Sequence, residues 1–241
     1  MVEPVETPLD SPLVSTGALR EAVAAAARRL ADEGLLVGTA GNVSAREGDV
    51  LAVTASGVVL SACTADHVTV VDSVGTVLEG RLAPTSELDL HLGIHADTAS
   101  TQGTAAVVHT HAPYSTAVAC VLDELPVLHY QQLSLGGALR VAPYATFGSS
   151  ELATHVREAL RDRQAALMAN HGSVAIGGTL HQAVENALLV EWLATLHHRA
   201  SVLGTPRALT DDEQRAVVEE ALRRSYGTPR PAGTAGEEEQ P

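Results

Sequence analysis

The chain contains 241 residues, of which 45% are hydrophobic and only 2% are aromatic, and it carries a formal net charge of -14 at pH 7. A chain of this length can bury a sizeable core in one domain. The large negative charge argues against a nucleic-acid partner, because a phosphate backbone binds to basic surfaces.

The sequence favours a cytoplasmic protein without a membrane partner. Its N-terminal residues are acidic and lack the basic region and apolar run of a signal peptide. No apolar stretch approaches the roughly 20 residues that span a bilayer. Cys63 and Cys120 provide no disulfide framework and stand in or beside apolar sequence, so we expect both thiols to be reduced and buried.

Periodicity and turn residues predict one α/β domain over residues 15–226, between a flexible arm at 1–14 and a disordered tail at 227–241. The predicted helices are 17–33, 88–95, 113–122, 151–162, 179–202 and 210–224. The predicted strands are 43–46, 50–54, 68–72, 76–78, 105–111, 127–131, 138–141, 165–171 and 174–176. Strands outnumber helices and the hairpins are local, which indicates a central, mainly antiparallel or mixed β-sheet flanked by helices.

Three loops have the residue types of a ligand-binding site. Residues 38–44 and 55–57 are small, so they leave backbone N–H groups accessible. The third loop enters the second predicted helix, with Thr85 or Ser86 as its cap and Glu87 at its start. Such residues can also serve as caps and as a carboxylate favoured by the helix dipole, without any ligand.

The second predicted helix also carries His91 and His95, four residues apart as in a helical zinc pair. The residues between them are Leu, Gly and Ile, so the pattern lacks the glutamate of a His-Glu-x-x-His motif. We therefore expect this histidine pair to lie on a surface face of the helix rather than to bind metal.

Two apolar runs end in histidine. The first ends in His109 and His111, which point to the same side of a strand roughly 6–7 Å apart, because side chains alternate between its faces. The second ends in His171, followed by glycine. Three neutral imidazoles with an open fourth position are typical of a catalytic zinc-type site. A histidine at a strand end can also be an ordinary hydrogen-bonded residue without a metal.

Several motifs, read together, resemble one known family. They are GTAGNVS at 38–44, TASG at 54–57, PTSE at 84–87, VVHTH at 107–111, PVLHY at 126–130, APYATFG at 142–148 and NHG at 170–172. In this order and spacing they resemble the class II aldolase/adducin family, and within it most of all the branch that cleaves L-fuculose 1-phosphate. The resemblance covers residues 17–226.

The resemblance implies a set of site residues. The metal, one Zn²⁺ per subunit with Mn²⁺ or Co²⁺ as alternatives, would be bound by His109, His111, His171 and Glu87. The catalytic residues that it implies are Glu87, Tyr130 and Tyr226. The implied phosphate-binding residues are Gly41, Asn42, Ser56, Gly57, Thr85 and Ser86. Thr85 stands where a serine is commoner in the family, a change that keeps the hydroxyl.

The resemblance also implies a homotetramer with active sites between subunits. Tyr130 would then act across an interface, although a tyrosine in this position can also be a simple core or interface residue. Tyr226, near the C-terminus, would be a mobile contact to the aldehyde.

The implied activity is the reversible cleavage of L-fuculose 1-phosphate, or a similar ketose 1-phosphate, into dihydroxyacetone phosphate and an aldehyde such as L-lactaldehyde. The chain contains no lysine, which excludes the aldolase mechanism that proceeds through a lysine Schiff base. A Lewis-acid metal can stabilise the electrons left by the broken C–C bond. Glu87 would exchange the proton on the dihydroxyacetone phosphate carbon, and Tyr130 the proton on the aldehyde oxygen.

Two other functions use the same scaffold. One is a pentulose-phosphate 4-epimerase, or a sugar-phosphate dehydratase or decarboxylase; epimerase-like members tend to carry aspartate where this chain has Glu87, which favours the aldolase. The other is a non-catalytic, adducin-like interaction module. The presence of Glu87 and of all three histidines argues against that module.

Overall fold

A mixed β-sheet of nine strands forms the centre of residues 16–224, the part of the chain that the computed structural model describes. The strands are β1 (Asn42–Glu47), β2 (Val50–Thr54), β3 (Val68–Val71), β4 (Val77–Glu79), β5 (Ala106–Thr110), β6 (Glu124–Leu125), β7 (Leu139–Ala142), β8 (Ala165–Met168) and β9 (Gly172–Gly177). Their order is β4-β3-β2-β1-β5-β9-β8-β7-β6. Neighbouring strands are antiparallel except β7 and β8, which are parallel. The predicted α/β fold with a mainly antiparallel, mixed sheet is confirmed.

Helices cover both faces of this sheet. They are α1 (Thr16–Asp32), α2 (Leu88–Thr98), α3 (Pro113–Ala119), α4 (Ser150–Ala159), α5 (Leu180–Leu203) and α6 (Asp211–Arg224). One buried cluster joins the sheet to α1, α3 and α5, and a second joins it to α2 and α4. Because side chains alternate along a strand, Val108 of β5 packs in the first cluster and Val107 in the second. His109 therefore faces the side of the sheet that α2 covers.

The predicted strand at 127–131 is wrong. Residues 126–129 belong to no strand, and a 3₁₀-helix, Tyr130–Leu135, follows them. The His129 ring caps the start of this helix by accepting a hydrogen bond from Gln131 N. Val127 is buried, but its carbonyl oxygen accepts from Leu209 N at 2.8 Å, outside the sheet. Burial of an apolar run therefore does not require a strand here.

The remaining differences are small. The helix predicted at 113–122 ends at Ala119, and Cys120, expected to be buried, is exposed, whereas Cys63 is buried as expected. Among residues 16–224, none of the helices has the length and apolarity needed to cross a bilayer. The predicted arm, the predicted tail and Tyr226 lie outside the described residues.

Candidate active site

The structure brings His109, His111 and His171 together. Their ring centroids lie 4.8 to 4.9 Å apart, and a nitrogen of each ring lies within 4.8 Å of the others. His109 is on the central strand β5, His111 follows that strand, and His171 occupies the turn between β8 and β9. The Nε2 atoms of His109 and His111 are 2.9 Å apart.

Hydrogen bonding fixes the tautomer of His109. Its Nδ1 lies 2.9 Å from the carbonyl oxygen of Ser173 on β9, and a carbonyl oxygen can only accept, so Nδ1–H donates. In the neutral ring, the lone pair of His109 is then on Nε2, which faces His111. This is the usual arrangement around a metal-binding histidine, whose second nitrogen is held by a carbonyl or carboxylate.

Two glycines allow the backbone to approach His109 closely. A Cβ on Gly172 would collide with the carbonyl oxygen of Thr110, so the turn that carries His171 can pack against β5 only with glycine there. Gly41 has a φ of 89°, and a Cβ on it would lie 2.8 Å from the carbonyl oxygen of His109. The packing of the backbone therefore requires glycine at positions 41 and 172, independently of any role in ligand binding.

The Glu87 carboxylate lies against the three-histidine cluster. Its Oε2 is 3.2 Å from His109 Nε2 and its Oε1 is 3.6 Å from His171 Nε2. Asn42 Nδ2 donates to Oε2 at 2.9 Å. Burial by itself would raise the pKa of the Glu87 carboxyl, but His109, the Asn42 amide and His171 together hold that pKa below its ordinary value. Glu87 is therefore ionised at neutral pH.

These donors fit a divalent metal. Glu87 Oε1 is buried and has no hydrogen-bond partner among the described residues, which a cation would supply. Burial and the neighbouring histidines lower the pKa of His111 to about 4 and also lower that of His171, so both rings are neutral, the form that binds metal. Three imidazoles and a carboxylate suit Zn²⁺ and, with less preference, Mn²⁺ or Co²⁺.

The candidate phosphate-binding loops meet beside Glu87. Ser56 N donates to Ala83 O, and Thr85 N donates to Thr54 O at 3.1 Å, so the second and third loops are hydrogen-bonded to each other. Ser86 is exposed, whereas Thr85 is buried and its hydroxyl accepts from Glu87 N. The residues that these loops present at the surface include Ser56, Gly57 and Ser86.

A comparison with known families and relatives decides the classification. Residues 21–198 match the model of the class II aldolase and adducin N-terminal domain. The chain belongs to the class II aldolase/adducin family. The expectation drawn from the motifs is thereby confirmed.

Relatives of similar identity are named for different substrates. The 5-methylthioribulose-1-phosphate/5-deoxyribulose-1-phosphate aldolase of Rhodospirillum rubrum is 39% identical over 211 residues, 87% of this chain and 93% of the relative. The L-fuculose phosphate aldolase of Escherichia coli K12 is 38% identical over 195 residues, 80% of this chain and 88% of the relative.

Solved class II aldolase structures share the fold. An L-fuculose 1-phosphate aldolase aligns with a TM-score of 0.79 and 31% identity, covering 87% of this chain and all of that one. The L-fuculose-1-phosphate aldolase of Thermus thermophilus aligns with a TM-score of 0.65 and 26% identity, covering 78% of this chain and 98% of that one.

The expected surface position of His91 and His95 is wrong. In this class II aldolase fold, α2 lies on the sheet and its two histidines are buried, with exposed fractions of 0% and 4%. Burial is the largest reason why the pKa of His91 is lowered to about 3 and that of His95 to about 4. The sequence does contain a signal for this burial, because residues 87, 91 and 95 share one stripe of a helix and Glu87 is itself a candidate site residue.

Tyr130 lies at the start of the 3₁₀-helix and is 40% exposed. Its ring packs on His129, with ring centroids 4.5 Å apart, and it lines an apolar pocket with Ala216, Val217 and Ala221 of α6. Tyr130 thus lies on a surface next to α6.

Proposed function

We propose that this protein is a metal-dependent class II aldolase that reversibly cleaves a ketose 1-phosphate into dihydroxyacetone phosphate and an aldehyde. The observation that carries the proposal is an ionised, buried Glu87 carboxylate directly beside the cluster of His109, His111 and His171. This combination supplies a base and a metal site at one point, and together they can cleave a C–C bond next to a carbonyl without a Schiff base.

His109, His111 and His171 would hold the metal, with Glu87 as a further ligand, and Zn²⁺ is the ion that we propose. When bound, the ion supplies a Lewis acid for the negative charge that develops as the C–C bond breaks. The absence of lysine from the whole chain supports this mechanism, since a Schiff base cannot form on a lysine.

Glu87 is the proposed base. In synthesis the carboxylate removes a proton from the hydroxymethyl carbon of dihydroxyacetone phosphate. In cleavage the carboxylate would first take up the proton released from the ketose hydroxyl that becomes the aldehyde oxygen, and would then deliver a proton to that carbon. The lowered pKa of Glu87 keeps it ionised at neutral pH, which is the form that can accept a proton. Asn42 holds Oε2 through a hydrogen bond, which leaves Oε1 without a competing donor from the described residues.

The phosphate would lie against the small-residue loops. The proposed contacts come from Gly41, Asn42, Ser56, Gly57, Thr85 and Ser86. Thr85 and Ser86 immediately precede Glu87, the N-cap of α2, so an anion there also gains from the helix dipole. This arrangement allows an acidic protein to bind a phosphate ester without a basic cluster.

Tyr130 would protonate and deprotonate the aldehyde oxygen, with Tyr226 as a second contact to the aldehyde. The exposure of Tyr130 supports a role across a subunit boundary, and we propose a homotetramer with active sites between subunits. Tyrosine suits this task because its hydroxyl can donate and accept a proton at an exposed oxygen.

L-Fuculose 1-phosphate is the first substrate to test. 5-Deoxyribulose 1-phosphate and 5-methylthioribulose 1-phosphate are equally informative, because all three ketoses share the half that becomes dihydroxyacetone phosphate. They differ in the aldehyde, which is L-lactaldehyde for the first and acetaldehyde or its methylthio derivative for the other two. The two relatives of almost equal identity support this set.

The deciding experiment is a coupled assay of dihydroxyacetone phosphate release from each ketose, on protein of measured metal content, with and without a chelator. We expect chelator-sensitive release that returns when Zn²⁺ is restored. No release from metal-loaded protein with any of the three substrates would overturn the aldolase and would lead to epimerase and decarboxylase assays.

A further inference from the structure

A buried chain of hydrogen bonds leads from Glu87 through residues other than the three histidines. Asn42 donates to Glu87, and the other end of its amide, Oδ1, is hydrogen-bonded to His91 Nε2. Ser44 Oγ lies 2.7 Å from His91 Nδ1 and 3.0 Å from His95 Nε2. The side chains beyond Glu87 are all buried, with exposed fractions of at most 5% for Asn42, Ser44, His91 and His95. The proposed mechanism uses neither His91 nor His95.

The direction of the first links follows from the donors and acceptors. An ionised carboxylate only accepts, so the NH₂ end of Asn42 must face Glu87 and the carbonyl end must face His91. That carbonyl oxygen also only accepts. His91 Nε2 therefore carries the hydrogen and donates it to Asn42.

The remaining links point the same way. A neutral ring with its hydrogen on Nε2 has a lone pair on Nδ1, so Ser44 donates its hydroxyl hydrogen to His91. Ser44 Oγ can then accept from His95 Nε2–H. His95 Nδ1, which is left as an acceptor, has no hydrogen-bond partner among the described residues. Every donor in the chain therefore points toward Glu87.

We propose that His91, held by Ser44 and His95, is a positioning residue for Glu87 and acts through the Asn42 amide. An asparagine amide can turn end over end at little steric cost, and the turned amide would present an oxygen to the carboxylate. The Nε2–H of His91 stabilises one of the two orientations, so Oε2 of Glu87 keeps its donor through every turnover. The inference rests on the proposed role of Glu87 as base.

The series of hydrogen bonds from His95 to Glu87 does not conduct protons. A proton passing from His91 to Glu87 would have to cross the Asn42 amide, which has no free lone pair on nitrogen and would pass through its unstable imidic acid form. The hydrogen bonds therefore set geometry, and misplacing a catalytic group by about 1 Å can reduce a rate roughly 100-fold.

The test compares His91→Leu with His91→Gln, since the glutamine amide can still donate to Asn42. The surface variant His181→Leu is the control for the same substitution. The main measurement is the exchange of the hydroxymethyl hydrogen of dihydroxyacetone phosphate with D₂O, followed by NMR, because this half-reaction needs Glu87 but no aldehyde. Metal content and the KM for the ketose phosphate are measured on the same samples.

For His91→Leu we expect full metal content, a KM within about threefold of the parent and exchange that is roughly 10- to 100-fold slower. His91→Gln should recover most of the exchange rate, and His181→Leu should exchange at the parent rate. Parent-like exchange in metal-loaded His91→Leu would overturn the proposal. So would a folded, metal-loaded His91→Gln that is as slow as His91→Leu, since that result indicates packing alone.

A measurement that needs no activity checks the direction of the hydrogen bonds, that is, which ring nitrogen of His91 carries the hydrogen. In the ¹⁵N spectrum of the histidine rings of metal-free protein, we expect His91 to be neutral with its hydrogen on Nε2. A hydrogen on Nδ1 would overturn the inference. Ser44→Ala replaces His91→Leu if the latter fails to fold, with slower exchange again expected. If the parent protein neither exchanges the hydrogen of dihydroxyacetone phosphate nor cleaves a ketose phosphate, the proposed aldolase activity is refuted instead. The ¹⁵N spectrum would still test the direction of the hydrogen bonds.

Discussion

Asn42 of β1 and His109 of β5 are direct partners in the antiparallel register, and the side chains of both contact Oε2 of Glu87. A strand pair therefore holds the carboxylate from two sides, while α2 supplies it from its N-cap position. This relationship places the proposed base in contact with the proposed metal ligand His109 through two neighbouring strands of the sheet.

Replacement of the proposed base, Glu87, should reduce activity without preventing folding or metal binding. We expect Glu87→Gln to fold and to retain bound metal, because three histidines remain, but to lose turnover by about 10²- to 10⁴-fold. Release of dihydroxyacetone phosphate and metal analysis on the same preparation check this. Full turnover in the glutamine variant would refute the role of Glu87 in proton transfer.

Loss of a proposed metal ligand should remove metal and activity together. His109→Ala takes away an Nε2 lone pair whose orientation is fixed by Ser173, and we expect metal affinity to fall roughly 100-fold or more. Metal content after dialysis and activity after metal addition are the measurements. The matched control is His181→Ala on the surface of α5, which should keep both. An active, metal-loaded His109→Ala would contradict the proposed site.

The buried neutral histidines should make the metal-free protein sensitive to mild acid. His91 and His95 have pKa values of about 3 and about 4 in the folded state, against 6.5 when unfolded. The unfolded chain therefore binds more protons below about pH 6.5, and stability falls as the pH drops toward about 4. Each ring contributes up to about 1.4 kcal/mol per pH unit. Urea unfolding at several pH values measures the slope, and His95→Gln should reduce it; an unchanged stability between neutral pH and pH 5 would contradict buried neutral rings.

The tight approach at Gly172 predicts an unequal effect of two alanine substitutions. Gly172→Ala forces a methyl group onto the Thr110 carbonyl and should cost about 1–3 kcal/mol while displacing His171. Gly17→Ala in α1 meets no atom within 4 Å and should stay within about 1 kcal/mol of the parent. Thermal unfolding and metal content compare the two. Equal behaviour would show that β9 can shift away from β5.

The proposed roles of Glu87 and Tyr130 act on different halves of the substrate. Tyr130→Phe should slow ketose cleavage by about 10²-fold or more, because it removes the proton donor for the aldehyde oxygen. Exchange of the dihydroxyacetone phosphate hydrogen with D₂O should continue at nearly the parent rate. If both rates fell together, Tyr130 would act on the phosphate-bearing half or on folding.

Sequence reasoning located the three histidines because strand alternation and a glycine turn are local properties. His109 and His111 share a face of one strand, and the structure adds His171 from the turn next to β9. The sheet was predicted from the number of short strands and from their local hairpin turns, which are also local properties. These features depend on neighbours within a few residues, which a sequence displays directly.

Sequence reasoning failed where distant contacts decide the outcome. His91 and His95 have a polar character that favours a surface, yet Ser44 and Asn42 of β1 provide partners that make burial possible. The apolar run at Val127 has the composition of a strand, but its carbonyl pairs with Leu209 after α5. The pairing of these residues is set by tertiary packing, which overrides local propensity.

The two cysteines differ in exposure, so a thiol-reactive label can be attached selectively to one of them. Burial raises the pKa of the Cys63 thiol, whereas Cys120 is exposed directly after α3, a helix that begins two residues after His111. A thiol-directed dye should therefore modify Cys120 first and leave the core thiol intact. Fluorescence from that label can test the proposed homotetramer without any engineered residue.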